Sequence, residues 1–94
     1  MEIFFMFGKY SEDALKKISA RRTEQASDII KEVGGEYQSA YALLGEYDIV
    51  IIATFPGTQE AMRASLGLHK LTGIAFTTAP AVEVGDFDKI AATL

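Results

Sequence analysis

The chain has 94 residues, 49% of them apolar and 23% charged, with a formal net charge of −4. Such a balance describes one globular domain without a disordered low-hydrophobicity stretch, and the acidic surplus argues against the phosphate attraction underlying most nucleic-acid binding. Cysteine is absent, which excludes disulfides, thiolate metal sites and cysteine nucleophiles and fits a reducing, cytoplasmic setting.

From Ile3 to Gly8 the run IFFMFG alternates Ile3, Phe5 and Phe7 with Phe4 and Met6. Both alternating faces are apolar, which predicts a strand covered on both sides. The run lacks a basic flank and stops at Gly8-Lys9, well short of the roughly 18 apolar residues of a membrane span, so neither a leader nor a membrane partner is expected. Ser11 is placed to cap a helix whose first turn carries Glu12 and Asp13 near its positive end. Ala14, Leu15, Ile18, Ala26, Ile29, Ile30 and Val33 recur at helical spacing down to Gly34-Gly35, whose permissive dihedrals suit a helix C-terminus. The polar stretch Ser19 to Gln25 interrupts that stripe, so the segment reads either as one helix with a weak middle or as two pieces joined near Ala20. Lys16, Lys17, Arg21 and Arg22 are interleaved with Glu12, Asp13, Glu24 and Asp28, the pattern of a solvated helix face.

Strands are predicted from Tyr37 to Leu44 and from Asp48 to Phe55, the second holding the run Ile49-Val50-Ile51-Ile52 that again reads as buried on both sides. Thr58 is expected to cap a helix over Gln59 to Leu71 ended by Gly73. The last strand spans Ile74 to Thr78, with a continuation beyond Pro80 as Ala81 to Val84 left open, and Gly85 to Leu94 forms a C-terminal tail of helical character. One α+β domain over 1–94 results, in the order β-α-β-β-α-β. This is the ferredoxin-like arrangement, which places the first and third strands at the centre of the sheet.

Between the second and third strands, Gly45-Glu46 fits a two-residue type II′ turn, glycine supplying the positive φ. Alternation then sets Ala40, Ala42, Leu44, Tyr47, Ile49, Ile51 and Ala53 on one face and Tyr37, Ser39, Tyr41, Leu43, Asp48, Val50, Ile52 and Thr54 on the other. A one-residue bulge at Gly45 would exchange Tyr47 and Asp48 between faces. The small-residue face suits two helices. Only the short tail remains to cover the tyrosine face, and an apolar sheet of that size is larger than monomers normally expose. A homodimer or larger homo-oligomer is therefore expected, its sheets enclosing a tyrosine-lined cavity.

Tyr10, Tyr37, Tyr41 and Asp48, with Arg21 or Arg22, are the candidates for holding an aromatic or acidic small molecule there. The alternative is that the tyrosines finish a sheet and an interface. Gly45, Tyr47 and Asp48 also read as turn chemistry, with Asp48 accepting backbone N–H bonds at the hairpin base. No phosphate loop, dinucleotide fingerprint, nucleophile elbow or zincin motif occurs, so no cofactor is indicated.

Lys9-Tyr10 after the first strand, Gly34-Gly35 after the first helix and Gly45-Glu46-Tyr47-Asp48 between apolar strands resemble the GYD domain family over nearly the whole chain. The resemblance implies a dimeric α+β barrel and a family whose biochemical role is uncharacterised. Haem-degrading proteins of the same broad barrel class ligate iron through a helix histidine, which makes His69 a haem candidate beside its surface or packing reading. The expected function is a homodimeric small-molecule-binding module. One alternative is a cofactor-free or haem-dependent enzyme of the monooxygenase or isomerase kind, with Asp48, Tyr41 or His69 handling protons. The other is a structural assembly unit.

Overall fold

In a computed structural model describing residues 1–94, strand β1 (Glu2–Gly8) sends Phe4, Met6 and Gly8 into the interior and leaves Ile3, Phe5 and Phe7 half-buried on the other side. The alternation follows from the two-residue period of a strand. Beyond it Ser11 caps α1 (Glu12–Lys16), its hydroxyl accepting from the Ala14 N–H at 3.0 Å. The helical segment is broken at Lys17 to Ser19. Ser19 caps a second helix, α2 (Ala20–Glu32), accepting from the Arg22 N–H at 3.1 Å, so the two-piece reading is the one adopted.

The end of α2 accounts for both glycines that follow it. Gly34 has φ +90°, its N–H donates to the Lys31 carbonyl and that of Gly35 to the Ile30 carbonyl, a Schellman cap that reverses the chain. Gly35 lies against the Phe55 ring and the Thr54 carbonyl, where a Cβ would fall 2.5 to 2.8 Å from their atoms.

Strands β2 (Glu36–Ala42) and β3 (Ile49–Phe55) pair antiparallel, as do β3 with β1 and β1 with β4 (Phe76–Ala81), in the order β2-β3-β1-β4. Strands 1 and 3 are central, as the doubly apolar pattern predicts. Helix α3 (Thr58–Thr72) crosses between β3 and β4 and ends at Gly73. Its cap is Gly57, and Thr58 is already its first residue, so the expected Thr58 cap is not formed. Strand β4 begins two residues later than expected and runs through Pro80, which an edge strand tolerates because its outer side needs no ladder bond.

Helices α2 and α3 lie on one face of the sheet, and the core sits beneath them. Phe4, Met6, Ala26, Ile30, Ile51, Ala53, Phe55, Ala61, Ala64 and Leu68 form one buried cluster, with the Phe4 and Phe55 rings edge to face at 5.6 Å. The opposite face has no helix over it. It presents Ile3, Phe5 and Phe7 from β1, Val50 and Ile52 from β3, and an exposed Tyr41 from β2. The tail forms α4 (Val84–Ala92), which buries none of its residues and leaves Val84, Phe87 and Ile90 as an exposed apolar stripe. Consequently the chain is spread out. Its radius of gyration is 14.1 Å, against about 12 Å for a compact chain of this length. It exposes 6434 Å², against about 5,300 Å² for a typical monomer of this mass.

Gly35→Ala forces a methyl into Phe55 and backbone, and lowers unfolding free energy by about 1 to 3 kcal/mol. Gly85→Ala, in open space on α4, leaves the denaturant midpoint unchanged or slightly raised. Chemical denaturation of the two variants side by side checks both outcomes.

Candidate functional site

Between the N-terminal end of α2, the C-terminal end of α3 and the sheet lies a cleft of about 90 Å³. Its walls are Ile18, Ala26, Ala40, Ile49, Ile51, Leu68, Ile74 and Phe76, and its polar groups are Tyr10, Ser19, Arg22, Thr23 and Thr72. The gap has a packing cause. Ala26 on α2 and Ala40 on β2 are alanines where longer side chains would close the space. At the α3 end the Thr72 hydroxyl is already bound, donating to the Leu68 carbonyl at 2.7 Å and accepting from the Ile74 N–H at 3.0 Å.

Two residues order the polar end. The Asp48 carboxylate accepts from the Tyr10 backbone N–H at 2.8 Å through Oδ2, and the Asp48 N–H donates to the Gly8 carbonyl at 2.9 Å. The hairpin is thereby tied to the turn after β1, holding Tyr10 beside the cleft. The Arg22 guanidinium lies 5.9 Å from the Tyr10 ring centroid, within cation–π range, and its Nη1 donates to the Ala14 carbonyl at 2.8 Å. That second bond also bridges α1 to α2.

Of the residues expected to meet in one site, Tyr10 and Arg22 line the cleft, with Asp48 one bond behind Tyr10. Tyr37 is not on the face assigned to it. The register shifts by one residue between Tyr37 and Ser39, so Tyr37 pairs with Ala53 and packs against the helix-side core. The bulge residue Gln38 reaches Thr54 Oγ1 at 3.4 Å instead. Tyr41 lies on the open face, 58% exposed.

The tip of the hairpin also departs from the two-residue turn. β2 stops at Ala42 and β3 starts at Ile49, and the Leu43 N–H to Asp48 carbonyl bond of 2.8 Å closes the connection. Gly45 does carry the positive φ, at +137°. Tyr47 and Asp48 exchange places relative to simple alternation: Tyr47 stacks on Phe7 of the open face at 5.2 Å, while Asp48 turns to Tyr10. Of the two arginines, Arg22 lines the cleft and Arg21 is exposed. Ser19, Thr23 and Thr72 were not anticipated. Ser19 alone carried a signal, as a capping residue at the break in the apolar stripe.

His69 is exposed on α3, beside a shallow dent formed with Ser65, Leu66, Ala75 and Phe76. A porphyrin needs an apolar slot around its ligand, and this arrangement does not fit one. No group of three or more His, Asp or Glu side chains lies close enough to hold a metal ion. No helix is long and apolar enough to cross a membrane.

The four-stranded antiparallel sheet with helices on one face defines a small α+β protein of ferredoxin-like type. It is similar to a crystal structure of a glutamate-to-alanine mutant of another protein, with a TM-score of 0.57 at 10% identity, over 87% of this chain and 50% of that one. The chain thus spans half the length of that structure, and the likeness concerns the fold alone. No curated protein matches in sequence. The GYD domain profile matches residues 4–91, and the chain belongs to the GYD domain family.

Asp48→Ala removes the charged acceptor of a part-buried amide and lowers stability by about 2 kcal/mol. Asp48→Asn, which keeps an oxygen acceptor, loses less. Faster hydrogen exchange at the Tyr10 amide, read by NMR in both variants, reports the same bond.

Proposed function

We propose that this GYD domain is a homodimeric small-molecule-binding module in which each subunit holds a ligand in its own cleft between α2, α3 and the sheet. The observation that supports the ligand half is the cleft itself, an apolar chamber with Arg22 and Tyr10 at its polar end. This shifts the ligand from the space between facing sheets to the helix side, because Tyr37 and Asp48 both face away from the open surface. Pockets for drug-sized ligands enclose roughly 300 to 1,000 Å³, so a chamber of about 90 Å³ suits only a few heavy atoms.

The assembly half rests on the uncovered face. The chain exposes 6434 Å², about 1,100 Å² more than a compact monomer of its mass, a surplus shared between the open face and the exposed α4, and a standard interface takes ~800 Å² from each partner. Phe5, Phe7, Tyr41, Tyr47 and Ile52 supply the aromatic and β-branched character of such surfaces. The enzyme alternative has no comparable support. Asp48 commits a carboxylate oxygen to the Tyr10 N–H, and His69 stands on the outer side of α3.

Light scattering at micromolar concentration is expected to give twice the chain mass, and Ile52→Lys on the open face to give the single-chain mass with the fold retained. A monodisperse single chain for the wild type would overturn the pairing. For the ligand half, a screen of small fragments by NMR is expected to shift the Ile51, Leu68 and Thr23 signals. A screen in which no fragment moves them leaves the structural assembly reading in place.

A further inference from the structure

We infer that the cleft selects a short aliphatic monocarboxylate, its carboxylate on Arg22 and its tail among Ile49, Ile51, Leu68 and Phe76. This rests on the ligand reading above and adds the chemical class. Charge, arginine geometry, size and lining converge on it.

Arg22 is the only charged residue among the thirteen that line the cleft, and no carboxylate is among them. An anion entering there meets one cation and no like charge, since Asp48 reaches Tyr10 from the hairpin side and is not part of the wall. The guanidinium is also held ready. The Tyr10 ring and the Ala14 carbonyl fix its plane, and that carbonyl engages one of its five donors, leaving donors for the paired N–H geometry that matches a carboxylate. The N-terminal turn of α2 and the C-terminal turn of α3 both border the cleft, so their opposite partial charges offset one another and the guanidinium is the charge that selects.

Size and wall chemistry settle the rest of the ligand. A space of about 90 Å³ is smaller than the ~150 Å³ apolar cavity that takes a benzene ring, which favours an aliphatic tail of a few carbons. An aromatic ring with its substituents is too large. Eight of the lining residues are aliphatic or alanine or phenylalanine, the buried Ala26, Ile51, Leu68 and Ile74 among them, and the Thr72 hydroxyl is already bonded, so this part of the wall offers a tail no free polar partner. A dicarboxylate or a sugar acid would bury polar groups there without compensation.

The probes are butyrate and its neutral isostere butyramide, titrated into the full chain and followed by methyl and amide NMR. The expected result is saturable butyrate shifts at Ile49, Ile51, Leu68 and Thr23, with butyramide at least tenfold weaker. Arg22→Gln, which keeps a donor for the Ala14 carbonyl, is expected to abolish the preference for butyrate. Ala40→Leu fills the chamber without touching the arginine, and is expected to abolish binding of both probes while the spectrum stays dispersed. Equal binding of the two probes, with no effect of Arg22→Gln, would overturn the carboxylate assignment and leave the cleft as a ligand site. Shifts confined to Lys9, Lys16 or Lys17 would overturn it as surface ion binding. If neither probe moves a cleft signal while larger fragments do, the class is wrong; if nothing moves one, the cleft reading itself fails.

Discussion

Two helices, α2 and α3, cover one face of a four-stranded sheet, and no helix lies over the other. Hydrophobic burial is therefore concentrated in the ten-residue cluster under α2 and α3. On the other side Val50 is buried among its neighbours, while Ile3, Phe5, Phe7 and Ile52 are only partly withdrawn from water. The same one-sidedness decides where an enclosed site can form within a single chain. Enclosure needs two layers, and only the helix side has them. There, Ala26 of α2 and Ala40 of β2 both border the cleft, where their short side chains leave side-chain volume unfilled.

Asp48 connects this cleft to the Gly45-Glu46-Tyr47-Asp48 hairpin. Turn chemistry and site chemistry are two links of one chain of contacts here. The Asp48 carboxylate holds the Tyr10 amide, the Tyr10 ring lies beside the Arg22 guanidinium, and Arg22 is anchored to the carbonyl of Ala14 across the α1–α2 break. Asp48 touches none of the cleft's interior, yet it fixes where the polar end stands. In the same hairpin Tyr47 goes to the other face and covers Phe7. One short motif thereby serves both sides of the sheet.

The strand order and the central position of β1 and β3 were readable because doubly apolar alternation is a direct consequence of burial on both faces. The break near Ser19 was readable as a polar interruption, and Ser19 resolves it by capping a new helix. The face of Tyr37 was not. A bulge adds one residue to one strand without altering composition, and everything beyond it changes side. Tyr47 and Asp48 exchange sides for a related reason: the Asp48 N–H bonds the Gly8 carbonyl of β1 instead of closing a regular two-residue hairpin. The cleft left no trace in any single segment, since it arises where the ends of α2 and α3 meet the sheet, a relation among residues from Tyr10 to Phe76.

Pro80 lies in the outermost strand, opposite Phe4, and supplies no N–H to its rail. At the far side of the sheet, the outer rail of β2 is put out of step by the bulge at Gln38. Both selvedges are thus interrupted, and a foreign strand laid along either would find a gap in its ladder. Copies of this chain are poorly suited to knitting edge to edge into fibrils. The apolar surface the fold leaves open is the broad flank of the sheet, not its rims.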